Sequence, residues 1–349
     1  MYLNKKKIYY NDQSSIYSIT FKNDNNYEIT FYNYGGYIHS IKIPFKDHPN
    51  RSEDVILGYG NLEDCIKAPD YFNSIIGRVG NRISNSKFKL NNNIYKLFNN
   101  DGENHLHGGE EGFNKKIWKI NKINEIQNEI SCELGYYSKN LEEGYPGNLD
   151  CTATYTLNSE NEFIIKYSAV SDADTLVNLT NHNYWNFHGH GKYYSNISNH
   201  NVVIFSDSVC ENNENLNPTG KLFKVTNTHF DLLKEKTITQ EFLNLGGIDN
   251  NYDVGSDFKV KKIAKVYSNI TRMGVTYFSN QPGVQFYTGN MMNDKYEGKE
   301  NRKYGLQYGL CIEPQFFPDA INQDNFDSPI VRANQQYTST IVMKLDNNF

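Results

Sequence analysis

Lys87-Phe88-Lys89-Leu90 is followed by Asn91-Asn92-Asn93 and then by Ile94-Tyr95-Lys96-Leu97. Both arms alternate in character, and a two-residue period is that of a strand, whose side chains point to opposite faces in turn. Asparagine tolerates the left-handed backbone that a short loop demands. The stretch predicts a β-hairpin, and the same period recurs along the chain. Tyr27-Glu28-Ile29-Thr30-Phe31, Ile41-Lys42-Ile43, Glu162 to Tyr167, Asn201 to Phe205 and Thr340 to Met343 all read as strands. The 27 tyrosines and 20 phenylalanines suit pleated surfaces. Helical signal is sparse, the best lying between Asp231-Leu232-Leu233 and Glu241-Phe242-Leu243. Many strands separated by turns predict an all-β sandwich or barrel-like domain. No Pro/Gly/Ser-rich linker and no fixed-period repeat divides the sequence, so residues 1–349 are read as a single domain.

Composition narrows the partners. The net charge is −5 and the pI about 6.0, with no clustered basic face of the kind nucleic acid requires. Lys5-Lys6-Lys7 is a short run, read as a solvated terminus. No apolar stretch approaches the roughly 18 residues of a membrane helix. The first residues contain no apolar core of a signal peptide, so a cytoplasmic protein is expected. The five cysteines are odd in number and widely spaced, which reads as free buried thiols. The mean hydropathy of −0.69 reflects a raised asparagine content, attributable to codon usage rather than to disorder.

Four segments hold polar or ionisable residues where strands and turns should be. In Gly77-Arg78-Val79-Gly80-Asn81-Arg82, glycines allow close backbone approach and arginines offer rigid forks of donors. In Asn104-His105-Leu106-His107-Gly108-Gly109, a strand would point both imidazoles to one face. That invites a metal reading, with Glu110 or Glu111 as a further ligand. The pattern is half of a cupin-type metal motif, but Asn99 stands where a glycine is wanted and no second half follows. Hydrogen-bonded structural histidines are the better reading. In Asn178-Leu179-Thr180-Asn181-His182-Asn183-Tyr184-Trp185, one imidazole lies among amides and aromatic rings, a mixture suited to a sugar's hydroxyls and C–H faces. His188-Gly189-His190-Gly191 reads as a loop. Finally, Glu313 lies in the otherwise apolar run Tyr308-Gly309-Leu310-Cys311-Ile312, where a carboxyl is costly unless paired or used.

Taken in order, Gly-Arg-Val-x-Asn-Arg-Ile, Asn-His-Leu-His-Gly-Gly, Asn-Leu-Thr-Asn-His-x-Tyr-x-Asn, Pro-Gly-Val-Gln-Phe-Tyr-Thr-Gly-Asn and Glu-x-Gln-x-Phe-Pro-Asp-Ala resemble the aldose 1-epimerase (galactose mutarotase) family from about Gly35 onward. The resemblance implies a single large β-sandwich, the galactose mutarotase-like supersandwich, with a few short helices and an open carbohydrate cleft. It implies interconversion of the α and β anomers of hexoses such as galactose and glucose, without cofactor or metal. By position it implies His182 as general acid and Glu313 as general base. Sugar contacts fall on Asn81, Arg82, His107, Asp249 and Gln285. Around Asp249 the sequence is Gly247-Ile248-Asp249-Asn250-Asn251, without the family's usual neighbouring histidine. Phe316 and Trp185 also depart from the usual pattern and are expected to bear on hydroxyl preference.

Anomer exchange needs O1 to lose a proton while the ring oxygen gains one, after which C1–C2 rotates and the ring recloses. The expected arrangement is an acid and a base on opposite sides of the ring, with a histidine near its reference pKa of ~6.5 able to play either part. The alternatives are a hexose-6-phosphate 1-epimerase, a glycosidase using Glu313 with Asp249, and a non-catalytic sugar-binding module. The expected partner is a small aldohexose, with the protein a monomer or homodimer.

Overall fold

A computed structural model describes residues 1–10, 15–68, 70–294 and 297–349. The hairpin forms as expected from Lys87–Leu90 and Asn93–Lys96. Asn93 pairs with Leu90, so the loop is two residues rather than three. Asn91 and Asn92 take φ of 49° and 64°, the left-handed pair that matches strand twist in a two-residue turn. Phe88 stacks on Tyr95 across the hairpin at 5.3 Å, centroid to centroid, while Ile94 faces solvent. Asparagine supplies more than half of the non-glycine residues with positive φ among those described. The asparagine bias is thus put to use in turns.

The largest sheet has nine strands. Its centre joins Leu149–Asn158, Glu162–Ser171, Gln336–Asp346 and Gly274–Ser279, all antiparallel. Along Gln336–Asp346 buried and exposed residues alternate almost without break. The inward set of this sheet (Tyr155, Ile165 and Met343) belongs to the main core. So do Ile19, Phe21 and Ile29 of an N-terminal five-stranded sheet. A second five-stranded sheet runs in the order Pro218–Lys224, Ser208–Asn212, Asp249–Asp253, Gly283–Tyr287, Cys311–Gln315. It turns Val284, Phe286 and Ile312 into the same core. Its other face forms the floor of a cleft.

Two helices are present among the described residues, both short. Gln240–Asn244 is capped by the Thr239 hydroxyl, which accepts from the Phe242 amide. The helical expectation reaching back to Asp231 is corrected: Leu232 is a core residue in extended chain, and Lys236–Thr237 adds a strand to the nine-stranded sheet. Leu62–Lys67 was not foreseen; Asn61 caps it, and Glu63 pairs with Lys67 one turn on. All five cysteines are free thiols, four of them buried.

Arg78 belongs to the buried scaffold. It is 2% exposed. Its guanidinium donates to Ser138 Oγ at 2.9 Å and to the carbonyls of Pro146, Ser138 and Lys139 at 3.0, 3.0 and 2.9 Å. Arg78→Met should lower the unfolding free energy by on the order of 3 kcal/mol, because several buried acceptors lose their donors together. A loss below about 1 kcal/mol in urea unfolding would remove this scaffold role.

Candidate active site

Strand alternation places the chemistry. Gln285 pairs with Glu313 on one side and with Asn251 on the other, so the three lie in a row across the second five-stranded sheet. Asp249 stands one step along its own strand and accepts a hydrogen bond from Gln285 Nε2 at 2.7 Å. Above this floor lies a cleft of about 370 Å³, lined by Glu313, His182, Arg82 and His107 among others. That volume is in the range of small-molecule sites.

His182 follows the two-residue strand Thr180–Asn181, which pairs with Ile75–Ile76. Its Nε2 stands 3.5 Å from Glu313 Oε1. The far atoms of the pair, His182 Nδ1 and Glu313 Oε2, are buried without a partner among the described residues. The ring stacks on Tyr184 at 4.9 Å and 16°. His107 meets it edge-on at 5.1 Å. His107 Nδ1 accepts the Asn81 amide at 3.1 Å, so the ring carries its proton on Nε2 as a donor. Arg82 spends its Nε on Asp101 at 2.7 Å. Its two terminal nitrogens have no protein partner among the described residues and remain for a ligand.

Comparison with known proteins places the chain in a family. The family model for aldose 1-epimerase matches residues 17–344. Galactose mutarotase from Bos taurus is 36% identical over 302 residues, 86% of each chain. Aldose 1-epimerase from Escherichia coli K12 is 30% identical over 330 residues, 92% of each. The chain belongs to the aldose 1-epimerase family. The fold agrees with those of solved relatives. An aldose epimerase homologue from C. elegans superposes with a TM-score of 0.85 at 25% identity, covering 95% of this chain and 99% of that one. Galactose 1-epimerase from Lactobacillus acidophilus has the same TM-score at 23% identity, covering 100% and 99%. The expected β-sandwich architecture is therefore the one this epimerase family member adopts.

All seven residues singled out for the site (Asn81, Arg82, His107, His182, Asp249, Gln285 and Glu313) line this one cleft. Several neighbouring expectations are corrected. His105 and His107 do not share a face. His107 has φ 53° and leaves the strand, while His105 turns inward between the Phe98 carbonyl and the Tyr145 hydroxyl. Glu110 and Glu111 are exposed and give their amides to Glu143. The amides beside His182 do not face the cleft: Asn181 donates to the Asn73 and Ser74 carbonyls, and Asn183 points toward Met343. Trp185 is fully buried and donates to the Tyr277 hydroxyl. Phe316 packs near Phe258, so neither departure touches the cleft.

Burial sets the electrostatics. Glu313 is pushed well above the ordinary carboxylate range, by desolvation first and by the Asp249 carboxyl second, with Arg82 pulling the other way. Desolvation lowers His182 to about 4, which corrects the expectation of an imidazole titrating near neutrality. Asp249 is also raised by burial, opposed by Arg82 and by the Gln285 hydrogen bond. His107, His182 and Glu313 bring one ligand atom each within 4.8 Å of one another, the spacing of a metal triad. The bond from Asn81 argues against that use. A metal on His107 Nε2 would need that nitrogen's proton to move to Nδ1, where the Asn81 N–H already points.

Sequence reasoning missed much of the cleft wall. Tyr71 packs on His107 at 4.6 Å, and Phe72 on Tyr184 at 4.1 Å. Tyr287 stands beside His182 at 6.4 Å. A signal existed for Tyr287, which lies two residues beyond Gln285 on the same strand face. None existed for Tyr71-Phe72, because only folding brings that segment over the floor.

Proposed function

We propose that this protein is an aldose 1-epimerase in which Glu313 and His182 exchange one proton with the sugar. The observation that carries the reading is their 3.5 Å approach on the floor of the cleft. With burial raising the carboxyl and lowering the imidazole, a proton shared by the pair favours the carboxyl side. Passing it to His182 yields the carboxylate and imidazolium that ring opening requires. Glu313 then takes the proton of O1 while His182 gives one to the ring oxygen, and the roles reverse on closure. In this reading the two groups act from one side of the ring rather than from opposite sides. O1 and the ring oxygen share carbon C1, so two adjacent groups on one side reach both. Asn81, Arg82, His107, Asp249 and Gln285 hold the remaining hydroxyls, keeping the ring aligned. No step calls for a metal or cofactor. The substrate class is free aldohexoses, the working unit is the domain of residues 1–349, as a monomer or homodimer, and the location is cytoplasmic.

The deciding experiment is polarimetry of freshly dissolved α-D-glucose and α-D-galactose. The protein should speed the approach to anomeric equilibrium in proportion to its concentration, and a rate equal to that in buffer would refute the activity. Arg82→Ala should raise KM by about tenfold or more while lowering kcat less, since Arg82 holds hydroxyls and exchanges no proton. An unchanged KM removes it from the site. The acid limb of kcat/KM should show its steep fall near pH 4, where His182 takes a second proton onto the pair and no base remains. A steep fall centred near 6.5 would mean that burial does not depress His182.

A further inference from the structure

The mechanism leaves one carboxyl of the cleft unused. Asp70 lines the same cavity as Glu313. Ring contacts mark the path: His182 to Tyr184 at 4.9 Å, Tyr184 to Phe72 at 4.1 Å, and Phe72 to Tyr59 at 5.7 Å. The Tyr59 hydroxyl donates to Asp70 Oδ2. Asp70 Oδ1 is buried with no hydrogen-bond partner, and no cation pairs with this carboxyl among the described residues. A carboxylate is an acceptor at both oxygens, and a buried acceptor left unmatched is costly. Beyond the Tyr59 hydroxyl and the nearby Phe72 amide the protein offers this carboxyl nothing, and the carboxyl borders the cleft.

We infer that Asp70 is a specificity-determining residue, whose carboxylate accepts a hydroxyl of the sugar remote from C1 and repels a phosphate placed there. The inference rests on the epimerase reading above and sharpens it to free aldoses over their phosphomonoesters. A phosphate monoester carries about 1.5 to 2 negative charges at neutral pH, so its approach to Asp70 sets like charges together in a site partly closed to water. Burial raises Asp70 only to about 6, which leaves it charged at pH 7.5. The competing account is structural. A cavity of about 10 Å³ behind Asp70, bordered by Cys65 and Ser74, has room for a single water that would satisfy Oδ1 without any sugar.

The test compares D-glucose with D-glucose 6-phosphate at pH 7.5, using wild type, Asp70→Asn and Asp70→Ser. Wild type should favour the free sugar by at least about tenfold in kcat/KM. Both variants should raise KM for glucose several-fold with kcat little changed, and should shrink the preference against the phosphate by about tenfold. Their thermal midpoints should be no lower than that of wild type, since an unpaired buried charge has been removed; that separates altered recognition from misfolding. Unchanged preference in both folded variants, or a wild type that favours the 6-phosphate, overturns the role of Asp70 and leaves the epimerase reading standing. If wild type accelerates mutarotation of neither sugar, the epimerase reading fails by itself. Calorimetric binding of the same two sugars to wild type and Asp70→Asn then decides the matter, and equal affinities overturn the inference.

Discussion

Glu313→Gln is expected to lower kcat by about 10²–10⁴-fold while leaving KM within a few-fold of wild type. Glutamine matches glutamate in size and keeps an acceptor oxygen beside His182. It cannot take the O1 proton, and it cannot carry the one proton that the pair shares. Sugar affinity should survive because the hydroxyl-holding groups are separate side chains: Arg82, Asn81, His107 and Gln285 are untouched. Folding should survive too. Burial pushes Glu313 toward its neutral form, and a neutral amide of the same size suits the same surroundings. The measurement is polarimetric kcat and KM on α-D-galactose, with thermal unfolding as the control. Turnover within tenfold of wild type, in a folded variant, would take the proton-transfer role away from Glu313.

His182→Asn should cause a loss of similar size, for the complementary reason. The ring stacks between Tyr184 and Tyr71, with His107 at its edge, so its position is fixed on several sides. Asparagine leaves the aromatic neighbours in place but supplies no group that can both give and accept a proton near neutrality. Because the two residues work on one shared proton, their losses should not add. The double variant Glu313→Gln with His182→Asn should be little slower than the worse single variant. A double variant showing the product of the two single losses would mean that they act at independent steps.

The strand content was legible because β-structure writes itself locally. Alternation needs only neighbouring residues, and the strands expected over Glu162–Tyr167 and Thr340–Met343 form as parts of the longer Glu162–Ser171 and Gln336–Asp346. The short helix at Leu62–Lys67 was not legible from periodicity, because Leu62, Cys65 and Ile66 span less than two turns, too few for a period to register, and none of its residues is fully buried. Glu313 was legible as a carboxyl in an apolar run. His182 was not distinguishable from the other eight histidines by its own surroundings in sequence, and its motif selected it. The amides flanking it misled, since Asn181 and Asn183 alternate away from the cleft into backbone and core. Arg78 and Arg82 look equivalent in sequence, yet one is a buried brace and the other a cleft donor.

By itself the sequence determined the all-β class, the set of side chains able to do acid–base chemistry, and the family to which they belong. Those are carried by local alternation and by residue type, which need no partner to be read. Only the tertiary structure decided that Glu313 and His182 stand side by side, that His107 rather than His105 joins them, and that Asp70 lines the same cleft. Each of those facts depends on packing between segments distant in the chain. So do the pKa shifts: the charge a carboxyl or imidazole will hold is set by how much water the fold removes from it, and no stretch of sequence contains that quantity.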